Sequence, residues 1–255
     1  MAGMETPALN GRVAVITGAS RGLGKAIAIS LSSAGARIAL VARDMEALHA
    51  VAEHLRAAGG EAEIFQADVT DEAQVRQIET AILARFGHVN ILINNAGTNI
   101  RKHLEEFPLD EWQQVLTTNL TSAFLMCRSF VPQMKGTGYG RIINLTSIMS
   151  HISFPGRAAY SASKFGLLGL TKALALELAG EGISVVAVSP GPFATEMNTA
   201  LLEDAEMNQR FTSRIPMGRW GNPHEVGELV RYLCLPESGF ITGTDILIDG
   251  GWTAQ

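Results

Sequence analysis

Tyr160 and Lys164, in Tyr160-Ser161-Ala162-Ser163-Lys164, stand four residues apart, so on a helix the phenol and the ammonium project from one face. A cation beside a phenol favours the phenolate and draws down a group that otherwise titrates near ~10. A phenol tuned in this way gives or takes a proton near neutral pH, as carbonyl reduction and alcohol oxidation require. Alone, the pair is also what an ordinary helix surface presents. Its company is the run Thr17-Gly18-Ala19-Ser20-Arg21-Gly22-Leu23-Gly24. There glycines let the backbone turn tightly against a pyrophosphate, and a helix N-terminus offers unpaired N–H groups and a positive dipole end.

The elements that must carry these residues alternate along the chain. Strand-like runs lie near 12–16, 37–41, 61–67, 89–93, 141–146, 183–188 and 245–249. Helix-like stretches fill 23–34, 45–57, 71–86, 109–134, 158–179 and 223–235. Such a rhythm predicts an α/β fold: one doubly wound parallel sheet of about seven strands with helices on both faces, spanning 1–255 as a single domain. Asn94-Asn95-Ala96-Gly97, Ser147 and Pro190-Gly191-Pro192 each follow a strand-like run. Carboxyl ends of strands form the ligand crevice of such a sheet. The excursion 191–222 has Pro192, Pro216 and Gly221, with room for a helix at 199–213. It is expected to be a lid over the substrate.

In order and spacing, over nearly the whole chain, these motifs resemble the short-chain dehydrogenase/reductase family. The resemblance implies a Rossmann-type fold and a catalytic tetrad of Asn119, Ser147, Tyr160 and Lys164. It implies hydride transfer from the nicotinamide C4 to a ketone carbon, with Tyr160 delivering the proton, Ser147 hydrogen-bonding the oxygen, and no metal needed. Lys164 would both tune Tyr160 and hold the nicotinamide ribose. Asn119 would hold a water, a role compatible with a buried asparagine bonded to backbone. The cofactor contacts expected are Gly18, Ser20, Arg21, Gly22, Leu23, Gly24, Arg43, Asp68, Val69, Asn95, Ala96, Gly97, Tyr160, Lys164, Pro190, Gly191 and Thr195. Among them Asp68 would meet the adenine ring. Thr195 would bond the nicotinamide amide, with a helix cap as the competing account.

Charge decides which dinucleotide is expected. The second strand ends Val41-Ala42-Arg43-Asp44, and Arg21 lies in the glycine loop. Two guanidiniums near the adenosine ribose favour a 2′-phosphate, hence NADP(H) over NAD(H). Asp44 opposes this unless it caps the next helix.

Substrate identity is less determined. Arg101 or Lys102, after the Asn94–Gly97 turn, and Arg157 or His151, between Ser147 and Tyr160, are candidates to grip an anion. They are equally readable as solvated loop residues. The Arg-Lys pair resembles the gluconate 5-dehydrogenase branch of the family. Ile148, Met149, Ile152 and Phe154 make one wall apolar, and Phe193 replaces a small residue usual in the family. Three readings stand: an oxidoreductase of sugar acids or polyols, a 3-oxoacyl-thioester (ACP) reductase, and a catalytically silent NADP-binding regulator.

Composition bounds the remaining classes. The 255 residues are 47% hydrophobic and 18% charged, with a net charge of −5. That balance argues against a nucleic-acid or anionic-membrane surface. Cys127 and Cys234 fit neither a disulfide framework nor a zinc cluster, so both are expected to be buried and reduced. Residues 1–10 lack a signal-peptide pattern, and no apolar run approaches the ~20 residues of a membrane span. A cytoplasmic protein is expected. Family members commonly form homotetramers through two helices and the last strand, which sets the same expectation here.

Overall fold

The computed structural model describes residues 7–255; residues 1–6, part of the segment read for a leader, lie outside the described residues. The strands are β1 (Val13–Thr17), β2 (Arg37–Ala42), β3 (Ala62–Gln66), β4 (Ile91–Asn94), β5 (Gly140–Leu145), β6 (Ile183–Pro190) and β7 (Asp245–Ile248). Each matches an expected run within about two residues. All pair in parallel, in the order β3-β2-β1-β4-β5-β6-β7. The order reverses between β1 and β4, and a crevice opens there beyond their carboxyl ends.

Continuous apolar runs make buried strands because both faces are covered. Every residue of β1, β4, β5 and β6 is buried. Alternate residues serve the two faces. Ala14, Ile16, Ile38 and Leu40 pack with Ile27 and Leu31 of α1 (Gly22–Ser33), Leu48 and Leu55 of α2 (Met45–Ala57) and Val226 and Val230 of α9 (Pro223–Leu233). Val13, Val15, Ala39 and Val41 pack with Ile78 of α3 (Glu72–Phe86), Phe130 of α5 (Ser122–Met134) and Leu178 of α6 (Ala158–Leu178).

Local signals set the helix ends. Asp71 caps α3 through the N–H groups of Ala73 and Gln74, and Gly87 closes it at φ +80°. Asn222 and Glu225 form a capping box at the start of α9. The stretch read as one helix at 109–134 is α4 (Leu109–Leu116) joined to α5 through the π-type turn Thr117–Thr121. Within 191–222 lie α7 (Thr199–Glu203) and α8 (Ala205–Thr212). Phe193 is buried against Gly221, where a Cβ would come within 2.4 Å of its ring. Its ring therefore belongs to the core beneath the 191–222 segment. Among the described residues, no helix is long and apolar enough to cross a membrane.

Candidate active site

The glycine loop is locked to the end of β4. Thr17 Oγ1 accepts from the N–H groups of Asn95 and Ala96, both at 3.0 Å. Asn95 Nδ2 donates to the carbonyls of Thr17 and Gly18 at 2.9 and 3.1 Å. Its side chain is thus spent on the loop, leaving Asn95, Ala96 and Gly97 to offer backbone at the crevice. Gly18 (φ +63°) and Gly24 have no room for a side chain: a Cβ on Gly24 would stand 2.2 Å from Gly18 O. Gly191 is equally confined, with Asp249 Cβ at 2.6 Å. Ser20 and Leu23 lie in the loop and the first turn of α1, and Val69 is buried after β3. Pro190 ends β6. The donor-rich loop, closely approachable backbone and helix N-terminus fit a nicotinamide dinucleotide.

Thr195 stands over that loop, its Cγ2 3.7 Å from where a Cβ on Gly22 would lie. Its side chain makes no capping bond, so the helix-cap account is not what is found. On the adenosine side, Asp44 Oδ1 accepts from Ala47 N at 3.1 Å and caps α2. Arg43 is 77% exposed at its side chain and lies 3.6 Å from Asp68. Burial pushes the Asp68 carboxyl up, but two Thr70 hydrogen bonds and the Arg43 charge outweigh it and the net direction is down. Arg21 is exposed in extended backbone before α1.

Asn119, Ser147, Tyr160 and Lys164 converge beyond β4 and β5. Asn119 is buried in the π-type turn, which swings it out of simple helical register. Its amide nitrogen is fully used, Nδ2 donating to Thr98 O and Ser163 Oγ, both at 2.9 Å, while Oδ1 accepts from Thr98 N at 2.7 Å and keeps a second lone pair. Gly97 passes between Asn119 and Lys164, with Oδ1 and Nζ at 3.4 and 3.7 Å from a built Cβ. Ser147 Oγ accepts from Met149 N at 3.2 Å, which leaves its own hydrogen to point elsewhere.

The expected tuning of Tyr160 by Lys164 is not what the geometry gives. Lys164 Nζ donates to Leu145 O at 2.7 Å and lies 5.6 Å from the Tyr160 ring centroid. Burial draws Lys164 down to about 8. Burial also pushes the Tyr160 phenol up; a Ser147 hydrogen bond and the Arg157 guanidinium pull the other way. Desolvation outweighs them, and the net direction is up. A phenol that keeps its proton at neutral pH is equipped as an acid.

The substrate wall sorts the four basic candidates. Lys102 Nζ is paired with Glu111 at 2.7 Å, and His151 Nε2 with Asp245 at 2.7 Å, so neither is the anion grip expected of it. Arg157, at the foot of α6, acts electrostatically on both Arg101 and Tyr160. Burial, then the like charge of Arg101, draws its guanidinium down. Ile148, Met149, Ile215 and Trp252 form a small apolar cluster against which Ile152, Tyr160 and Phe211 pack. Phe211 stacks on Trp220 at 4.6 Å. Sequence reasoning missed Thr17, Ser163, Ser189 and Asp245; only Thr17 carried a signal, as a polar residue ending a buried strand. Cys127 and Cys234 are buried and free, with burial pushing both thiols up to about 12.

A family model described as enoyl-(acyl carrier protein) reductase matches residues 18–253. A 3-oxoacyl-[acyl-carrier-protein] reductase of Synechocystis sp. is 40% identical, covering 96% of this chain and 98% of its own. A D-threitol dehydrogenase of Mycolicibacterium smegmatis is 37% identical, covering 97% and 95%. The crystal structure of a gluconate 5-dehydrogenase from Burkholderia cenocepacia, in complex with NADP and tartrate, superposes with a TM-score of 0.92 at 35% identity, covering 98% of each chain. The seven-stranded parallel sheet with helices on both faces agrees with these matches. The chain belongs to the short-chain dehydrogenase/reductase family, an oxidoreductase acting on CH–OH groups.

Proposed function

We propose that this protein uses NADP(H) to interconvert a secondary alcohol and a ketone on a small sugar acid or similar hydroxy/keto acid. One observation carries the substrate class. Arg157 acts on Tyr160 and is itself opposed by the like charge of Arg101, and neither arginine has a carboxylate partner among the described residues. Two like charges near a buried phenol are relieved by an anion between them, and a carboxylate matches the guanidinium fork. The tartrate bound to the Burkholderia relative supports the same class. Arg43 and Arg21, with Asp44 occupied as a cap, support NADP(H), as does the NADP in that relative.

When bound, the dinucleotide supplies or accepts the hydride. Gly18 to Gly24 would hold its pyrophosphate, Asp68 and Val69 the adenine, and Lys164, Asn95 to Gly97, Pro190, Gly191 and Thr195 the nicotinamide half. In reduction, the Tyr160 hydroxyl gives its proton to the carbonyl oxygen, and Ser147 directs its free hydrogen to the same oxygen and stabilises the developing charge. Asn119, fixed by Thr98 and Ser163, keeps the Gly97 turn against Lys164 and is the candidate to anchor a proton-relaying water. The 191–222 segment would act as a lid, its Phe211 resting on the cluster around Tyr160. Unequal proteolysis there with and without NADPH is expected; equal rates would remove the lid.

A thioester reductase is the second reading, favoured by that apolar cluster and by the Synechocystis relative. Against it, Arg56, Arg76, Arg85, Arg128, Arg219 and Arg231 are all paired with carboxylates, and the net charge of −5 gives no sign of a basic surface for an acidic carrier. Assay with NADPH against keto sugar acids, neutral ketoses and an acetoacetyl thioester separates the two. Preference for the keto acid supports the proposal; preference for the thioester overturns it. We also propose a homotetramer, because Phe124, Phe165, Leu176 and Leu247 expose apolar side chains on α5, α6 and β7. Light scattering from a stable monomer would contradict it. A cytoplasmic location suits two free thiols.

A further inference from the structure

A string of polar groups lies behind Ser147. Asp245 opens the edge strand β7, yet its side chain is only 5% exposed, while that of His151 is 33% exposed. An enclosed carboxylate needs donors. Three groups face it: His151 Nε2 at 2.7 Å, Ser189 Oγ at 2.7 Å and Thr146 Oγ1 at 3.4 Å. Ser189 Oγ also lies 2.9 Å from the backbone oxygen of Ser147 and 2.9 Å from Thr146 Oγ1. The string therefore runs from an imidazole through a carboxylate and a hydroxyl to the peptide of Ser147.

Counting hydrogens gives the string a direction. The Ser189 hydroxyl has one hydrogen and three oxygens in reach, Asp245 Oδ2, Ser147 O and Thr146 Oγ1, of which the shortest contact is to the carboxylate at 2.7 Å. Ser147 O already receives Ser150 N at 2.8 Å. With Asp245 ionised and His151 donating to it, the serine hydrogen goes to the carboxylate. Without the imidazole donor, Asp245 keeps only Ser189 and Thr146 as neighbours, and the serine hydrogen is no longer fixed on the carboxylate rather than on Ser147 O. Ser147 anchors the turn Ile148–Ser150, its Oγ accepting from Met149 N and its O from Ser150 N, while Ser150 Oγ is buried without a partner.

We propose that His151 and Asp245 are positioning residues: together they set the direction of this string and so hold the Ser147 hydroxyl in line with Tyr160. The proposal rests on Ser147 orienting the substrate carbonyl. Asp245→Asn places an N–H donor against Ser189 Oγ and reverses the string, and His151→Ala removes the donor that sustains it. Each is expected to lower kcat about tenfold, leaving KM and NADPH affinity within about twofold. His151→Gln, which restores an N–H, should recover most of kcat, and the double variant should be no worse than either single one. Unchanged kcat in both single variants overturns the proposal. So does a loss that merely follows a falling Tm and is not rescued by His151→Gln. Ser147→Ala, run alongside, separates the failures: if it stays active, the catalytic reading of Ser147 falls and this proposal with it. If it is inactive beside an unaffected His151→Ala, only the positioning role falls.

Discussion

The two sides of the crevice are built by opposite means. On the glycine-loop side, Gly18 and Gly24 are held at contact distance from backbone, and the side chains of Thr17 and Asn95 spend their hydrogen bonds on peptide groups. What the loop backbone leaves for a partner is its N–H groups, with the exposed Arg21 beside them. On the substrate side, Arg101 and Arg157 repel, Tyr160 is held protonated by burial, and Lys164 is drawn down to about 8. A phosphate-binding surface needs fixed dipoles, so it is finished before the ligand arrives. A reaction site needs groups whose charge is unresolved until the substrate enters.

The sharpest way to break this contrast is Gly24→Ala. A Cβ 2.2 Å from Gly18 O forces the finished side apart, and NADPH affinity in a fluorescence titration should fall by on the order of a hundredfold. Arg157→Ala attacks the unfinished side. It should lower kcat/KM for a keto acid by roughly 10- to 100-fold, as expected for a charged hydrogen bond, and leave a neutral ketose nearly unaffected. Equal losses on both substrates would place Arg157 in structure alone. A smaller effect is expected at Arg43→Ala, with NADPH weakened about tenfold and NADH within twofold; matched losses would refute NADP(H) preference.

The smallest effect concerns pH. Buried Lys164 titrates at about 8 when folded, against 10.5 as its ordinary value. Between these values the unfolded chain binds the extra proton, so the Lys164 contribution to stability rises with pH across that window. Below about 8 the folded protein bears the full cost of the buried ammonium, on the order of 3 kcal/mol. The stability of the natural protein relative to Lys164→Met should therefore increase from pH 8 to 10.5, measured by urea unfolding without cofactor. A flat difference would show that Lys164 is not desolvated.

Legibility in the sequence follows the same division. Strands with both faces covered are continuous apolar runs, so all seven were readable, and glycines that must be glycines cluster in one short loop. Ser147 was legible at a strand end and Tyr160 with Lys164 on one helix face, whereas Asn119 was reached through the family resemblance alone. What was not readable depends on distant side chains meeting. That His151 would be taken by Asp245 follows from β7 folding against a loop 94 residues away, and that Lys102 would be taken by Glu111, nine residues on, from α4 turning back on the loop before it. The Tyr160 environment was misjudged for the same reason: spacing places Lys164 on its face, but only burial reveals that Lys164 donates to Leu145 instead. The π-type turn at Asn119 had no distinguishing signal either, since a helix with one wider turn keeps the same apolar pattern.

The central claim is that Tyr160 supplies the proton when a ketone is reduced beside bound NADPH. Single-turnover oxidation of NADPH by a keto sugar acid tests it most directly, with natural protein and Tyr160→Phe both saturated with cofactor. Loss of the transfer step by a factor of roughly a thousand or more, at unchanged NADPH affinity, is the expected result. A Tyr160→Phe variant that oxidises NADPH at the natural rate would contradict the account.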